Sequence, residues 1–381
     1  MALDCSGDFG PFNGRVWLNC AHQGALPKLA ADAAREAIGW KVAPNELTAE
    51  RFSGVPARVR AALSRLVSAP PEQIVLANSA SYGLHLIANG MPWRPGDEVL
   101  VVANDFPSDI LPWLGLEREG VRVATIEPRH PLPEPDELRR AITARTRVFC
   151  TTWVHSFSGY AADLDGLGIV CRENGVRLVL NASQAIGARP LDVRTAPVDA
   201  ITSAGFKWLC GPYGTGFCWM RPDLLESLQY NQSYWLAQMT ATDLGDENRE
   251  IRLPTGPPRA RTFDIFGTAN FFNFHPWAAS IEYVLDQGID RIAEHDQGLV
   301  DRLIHGLDPK KYEVTSPRSG PARSTLVLIT HRDRTRNDEM RSRLADSGID
   351  VAYRKGRVRF APHLYNTADD IDRALTELNR L

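Results

Sequence analysis

Between residues 73 and 220 the chain repeats one pattern seven times: a run of four to six mostly apolar, often β-branched residues, most of the runs separated by a stretch with room for a helix. The runs are Gln73–Ala77, Glu98–Val102, Val121–Ile126, Arg147–Thr152, Val176–Leu180, Asp199–Thr202 and Gly216–Met220. Strands that alternate with helices build an α/β domain around a largely parallel sheet, and few other folds accommodate such a rhythm. Pro56–Val67 carries the helical period, with Val59, Ala62, Leu63, Leu66 and Val67 on one face. From Pro222 to Pro258 the chain turns polar and irregular, ending in Leu-Pro-Thr-Gly-Pro-Pro, which predicts a long surface excursion. One helical pattern then runs from about Asn273 to Leu307. Strand-like Ser324–Ile329, a helix near Asp338–Ser347, strand-like Val351–Tyr353 and Arg357–Phe360, and a last helix Thr367–Leu381 follow. This second part predicts a smaller α+β domain. The expected division is 16–260 for a large α/β domain and 261–381, with 1–15, for the small one.

A length of 381 residues accommodates two or three domains, and 44% hydrophobic with 23% charged residues is enough for a substantial core. A net charge of −3 without a basic block gives no reason to expect nucleic acid or an acidic membrane as partner. The first residues lack a basic segment followed by an apolar run, and no apolar stretch is long enough to span a bilayer, so a cytoplasmic chain is expected. The six cysteines show neither C-x-x-C nor zinc-finger spacing; reduced, buried thiols and no metal are expected.

Three segments carry chemistry. The first is Ser203-Ala-Gly-Phe-Lys207-Trp-Leu-Cys-Gly211-Pro-Tyr-Gly214-Thr-Gly216-Phe. It puts a lysine at the end of an apolar strand, where ligands bind in parallel sheets. A lysine partly withdrawn from water has a lowered pKa and can form a Schiff base, and the glycines allow close backbone approach to a bulky ligand. The second is Leu76-Ala-Asn78-Ser79-Ala80-Ser81-Tyr82-Gly83, a strand running through small polar residues into a helix. Backbone N–H groups and the Ser81 hydroxyl there would form an anion site. The third, Val179-Leu180-Asn181-Ala182-Ser183-Gln184-Ala185-Ile186-Gly187, is again a strand end followed by polar residues.

Together and in this order, the three resemble the class V branch of fold-type I pyridoxal-phosphate enzymes, which includes cysteine desulfurases, isopenicillin-N-epimerase-like proteins, kynureninases and C–S lyases. The resemblance reaches from Trp17-Leu-Asn-Cys-Ala-His22-Gln-Gly24 to Arg359-Phe-Ala-Pro-His-Leu-Tyr-Asn366-Thr. It implies a seven-stranded, mostly parallel sheet sandwiched by helices, a smaller α+β C-terminal domain, and a homodimer with the site between subunits. It implies pyridoxal 5'-phosphate as cofactor and Lys207 as its anchor and proton shuttle. Ala80, through its N–H, and Ser81 would form the phosphate cup, and Phe106 would stack on the ring. Ser156 and Gln184 would stand near the phenolic oxygen, and Ser203 belongs to the cofactor strand. Gly267 and Thr268 would reach the partner subunit's phosphate. Arg359 would hold the substrate carboxylate with its planar fork, and His22 has two equal readings, one facing the substrate and one as a structural histidine. His155, Trp113, Trp208 and Trp219 are more simply structural.

One departure stands out. At Asn181 the family has aspartate, which keeps the pyridine nitrogen protonated and the ring an electron sink. Asparagine cannot ionise, so carbanion chemistry at Cα should be weaker. The loop Asp350-Val-Ala-Tyr-Arg-Lys-Gly-Arg-Val-Arg359 lacks the nucleophilic cysteine that persulfide transfer requires. The expected function is therefore β-elimination or C–S bond cleavage on an α-amino acid or a derivative, in natural-product tailoring among other settings. Transamination, epimerisation and decarboxylation-linked oxidation are the alternatives on the same scaffold. A pyridoxal-phosphate-binding protein with little or no catalysis is the alternative of another class.

Overall fold

The structure, a computed structural model, describes residues 3–232, 234–239, 243, 246, 250–252, 256–268 and 270–381. Its centre is the seven-stranded sheet, formed by β2 (Ile74–Ala77), β3 (Glu98–Val102), β4 (Arg122–Ile126), β5 (Thr146–Thr152), β6 (Arg177–Asn181), β7 (Ala200–Ala204) and β8 (Gly216–Met220). The order is β2-β8-β7-β6-β5-β3-β4. Only β8 runs against the rest, pairing antiparallel with β2 and with β7. The strands are near-continuous apolar runs because helices cover both faces, giving two apolar cores, one on each side. Ala80–Gly90 packs so tightly that a Cβ on Gly83 would lie 2.6 Å from Thr202 Oγ1 and 2.9 Å from Cys218 Cβ.

The C-terminal part is a four-stranded antiparallel sheet whose core is shared with the helices Ile289–Gly306, Asn337–Asp346 and Ala368–Asn379. Its strands are β9 (Tyr312–Val314), β10 (Val327–His331), β12 (Ala352–Arg354) and β13 (Arg357–Phe360), in the order β12-β13-β10-β9. Beside it, β1 (Val16–Trp17) pairs parallel with β11 (Ile349–Asp350), and a two-pronged Arg15–Asp350 contact at 2.7 and 2.8 Å closes that pair. Val16 and Leu18 thus belong to the core of the smaller sheet, whereas Phe271–Gln287 packs on Lys28–Val42 and Ala49–Val67 of the large body.

Two expected elements are altered for visible reasons. The single helix from 273 to 307 is two helices, Phe271–Gln287 and Ile289–Gly306, because Gly288 takes a positive φ of 85° that ends the first. The strand expected at Ser324–Ile329 is Val327–His331. The preceding residues serve the large body instead: the Ser324 hydroxyl donates to Gly159 O at 2.6 Å and Ala161 N donates to Ala322 O at 2.8 Å. In the expected excursion from 222 to 258, Pro222–Ser227 and Trp235–Gln238 are helical, and much of the remainder lies outside the described residues. All six cysteines are buried and free, and Trp113, Trp208 and Trp219 are core. No helix among the described residues is long and apolar enough to cross a membrane.

One polar cluster joins the two parts. His363 and Asp296 are wholly buried, with Nδ1 2.8 Å from Asp296 Oδ2 and Nε2 2.9 Å from Trp208 O. Both neighbours are acceptors, so both ring nitrogens carry protons and the imidazole is a cation. Burial opposes that charge, but Cys20, Asp296 and the Trp208 carbonyl outweigh it and hold His363 up at about 9.

Candidate active site

Parallel strands deliver their C-terminal ends to one edge, and a cavity of about 360 Å³ opens there. Each wall follows a strand: Ser79, Ala80 and Ser81 after β2, Phe106 and Ser108 after β3, Thr152 and Ser156 at the end of β5. Asn181, Ser183 and Gln184 come from β6, and Ala204 and Lys207 from β7. His22, from the N-terminal segment, and Arg354 and Arg359, from the smaller sheet, complete it.

Lys207 is half-buried, its Nζ 5.6 Å from the centre of the Phe106 ring and 5.9 Å from that of Phe206. Burial first, and then Arg359, pull its pKa down from 10.5 to about 8. Its loop is fixed from behind, where Gly24 N donates to Phe206 O at 2.9 Å and a Cβ on Gly24 would meet Lys207 O at 2.0 Å. Arg359 is only 3% exposed. Its Nη1 donates to Ser156 O at 3.0 Å, and its Nε has no partner among the described residues. Burial, then Arg354, lower its pKa to about 10. Among the described residues no carboxylate is paired with it, and a buried guanidinium with an unused N–H is suited to receive an anion.

At the other end, the helix Ala80–Gly90 starts at the cavity wall. Its capping hydroxyl is that of Ser79, which accepts from Tyr82 N at 3.2 Å, and Ser81 lies in the first turn on the cavity wall. The Ala80 and Ser81 amides have no acceptor within the helix, so donors and helix dipole face the cavity. Gly216 is required beside them, since a Cβ there would come 2.7 Å from Ser79 N.

Asn181 lines the wall with its amide engaged: Oδ1 accepts from Ser183 N at 3.1 Å, and Nδ2 donates to Asp109 Oδ1 at 2.7 Å. Gln184 is also held, donating to Ala21 O at 2.9 Å and accepting from Trp208 Nε1 at 3.0 Å. Phe106 is 37% exposed and covers Lys207. Of the expected site residues, Ala80, Ser81, Phe106, Ser156, Asn181, Gln184, Lys207, Arg359 and His22 come together. Ser203 does not: it is buried in β7 with its hydroxyl donated to Ala204 O, and Ser183 and Ala204 take its place on the wall. Gly267 and Thr268 also lie off the cavity. Their segment runs along the outer edge of β2, where Ile265 N donates to Leu76 O and Asp264 accepts from Leu76 N and pairs with Arg60. Thr268 lines a separate hollow with Phe52 and Arg60. His155 is buried away from the cavity, placed between Ser158 Oγ at 2.7 Å and Asn104 O at 3.1 Å. Sequence reasoning missed Arg354 and Asp109. No group of three or more histidine, cysteine or acidic side chains among the described residues is arranged to hold a metal.

Known proteins share this framework. The sequence model of the Aminotransferase class-V family matches residues 46–373. A probable cysteine desulfurase of Methanothermobacter thermautotrophicus is 27% identical over 245 residues, 64% of this chain and 59% of that one. Isopenicillin N epimerase of Amycolatopsis lactamdurans is 26% identical over 391 aligned positions, 95% of each. Among solved structures, the cystine C-S lyase C-DES in complex with its reaction product, cysteine persulfide, superposes with a TM-score of 0.84 at 20% identity over 96% of this chain and 97% of that one. At that identity the likeness speaks for the fold alone.

Proposed function

The chain belongs to the Aminotransferase class-V family, and from that premise we propose that it is a pyridoxal-phosphate enzyme that cleaves a C–S bond in a sulfur-containing α-amino acid by β-elimination. The observation that carries this reading is Lys207, an amine with its pKa drawn down to about 8, sharing one cavity with a buried arginine that has no acidic partner among the described residues. The residues fit the cofactor. A free helix start suits its phosphate, an aromatic ring its plane and a lysine its aldehyde.

When bound, pyridoxal phosphate supplies a ring that withdraws electrons from Cα of an attached amino acid. The protein's own groups do the rest. The Ala80 and Ser81 amides would hold the phosphate and Phe106 would cover the ring, with Ser156, Gln184 and Asn181 on the wall as the polar groups that would receive its other polar atoms. Arg359 grips the substrate carboxylate with two parallel N–H groups, which fixes the rotation about the Cα–N bond. The Lys207 amine would take the Cα proton and return one to the departing group. The molecule works as a homodimer in the cytoplasm, with Thr268 facing the partner's phosphate.

Elimination is favoured over persulfide transfer because transfer needs an accessible thiol. All six cysteines are buried, and those whose shift is resolved have their pKa raised chiefly by burial. The test is turnover of cystine, cysteine and S-alkylcysteines by the cofactor-loaded protein, with product masses. Pyruvate and ammonia with a released sulfur species are expected; alanine with a protein-bound persulfide would overturn elimination, and no turnover of any amino acid would overturn the enzyme reading.

A further inference from the structure

The carboxylate missing at position 181 stands one hydrogen bond farther back. Asp109 is wholly buried, and its Oδ1 accepts the short 2.7 Å bond from Asn181 Nδ2, while its Oδ2 has no partner among the described residues. The orientation of the Asn181 amide is determined by its neighbours. Ser183 N can only donate, so it must face Oδ1; reversing the amide would set N–H against N–H and leave Asp109 without a donor. Asn181 lines the cavity and Asp109 does not. We propose that Asp109 is a positioning residue for the cofactor, fixing the Asn181 amide and acting through it as the negative charge for the cofactor's ring. This rests on the cofactor reading above.

The groups facing Asp109 determine when it is charged. Asp105 is the better-solvated acid of the pair, since it accepts from Thr152 N at 2.9 Å, Phe106 N at 2.7 Å and Thr151 Oγ1 at 3.4 Å. Asp109 has one donor. Two buried carboxyls in contact with each other's field resist ionising together, so the proton of the pair resides on Asp109. Burial and Asp105 hold its pKa well up, the Cys150 thiol lies beside it, and the positive charge of Lys207 draws it back down. Cationic nitrogens on a bound cofactor act in the same direction as Lys207. Where a protonated ring nitrogen stands in front of Asn181, its charge favours the Asp109 carboxylate, and that carboxylate polarises the amide between them.

The test compares four proteins loaded with pyridoxal 5'-phosphate: wild type, Asp109→Asn, Asn181→Asp and the double exchange Asp109→Asn/Asn181→Asp. The readouts are the cofactor dissociation constant and the pH midpoint of the bound cofactor's visible absorbance. Asp109→Asn removes an anion near a cation, so the midpoint should fall by about one unit and affinity by about tenfold. Asn181→Asp places two carboxyls where one bond now spans 2.7 Å; they share a proton, and a second titration appears. The double exchange restores one carboxyl and one amide, so that second titration vanishes. An Asp109→Asn protein that binds cofactor with an unmoved midpoint overturns the proposal, as does a double exchange indistinguishable from Asn181→Asp. If Asp109→Asn does not fold, the comparison of the other three decides. Absence of a visible band in wild type would instead remove the cofactor reading on which the proposal rests.

Discussion

The depressed lysine can be measured without any cofactor. At pH 7 an amine with an ordinary pKa of 10.5 is neutral to ~0.03%, whereas one at about 8 is ~10% neutral, a gain of roughly 300-fold in the reactive form. Burial is the larger cause and Arg359 the second, so Arg359→Met should return part of the shift and leave the midpoint between 8 and 10.5. Competitive acetylation followed by mass spectrometry reports the pKa of each lysine in the folded protein. Lys207 should label with a midpoint near 8 in wild type, and the Arg359→Met protein should label several-fold more slowly at pH 7. The sign follows from the charge: a neighbouring cation disfavours a second one, so its removal must raise the midpoint. A wild-type midpoint near 10.5, or one that Arg359→Met fails to move upward, would refute the reasoning.

Arg359→Lys keeps a charge but loses the fork, and should weaken amino-acid binding by ~10- to 100-fold while cofactor affinity stays within about twofold; paired titrations check this. Gly83→Ala forces the helix start off the sheet at contacts of 2.6 and 2.9 Å and should cost ~2–4 kcal/mol in denaturant unfolding, with looser cofactor. His363, held up at about 9, contributes stability that is complete below its ordinary 6.5 and is lost as pH rises through 9. His363→Phe should abolish that dependence in unfolding curves and cost ~3–5 kcal/mol at neutral pH by stranding Asp296. Thr268→Ala should loosen the cofactor of a dimer; sedimentation showing a monomer that binds cofactor tightly would count against the subunit arrangement.

The seven strands were legible nearly residue for residue because all but the edge strand Arg122–Ile126 are buried on both faces and so have few polar interruptions to blur their ends. Lys207, Asn181 and Ser81 were legible because each follows such a strand, and strand ends converge. The break at Gly288 was not: glycine is tolerated within helices, and only its positive φ shows that this one ends a helix. Ser203 was misplaced because successive strand residues point to opposite faces, and a motif does not say which face is the cavity's. Asp109 could be seen in Asp-Phe-Pro-Ser-Asp, but its partner is 72 residues away, and nothing local to either segment announces the bond.

The His363 clamp has a consequence for recombining relatives of this protein. Its imidazole grips the carbonyl of Trp208, next to the reactive lysine, while Arg359 lies four residues earlier in the same segment. A chimera that takes its last hundred or so residues from another family member would exchange Arg359 and, inseparably, the brace under the Lys207 loop. Such grafts should succeed only when histidine, its buried aspartate and the tryptophan loop come from one parent, so specificity at this edge is inherited as a block.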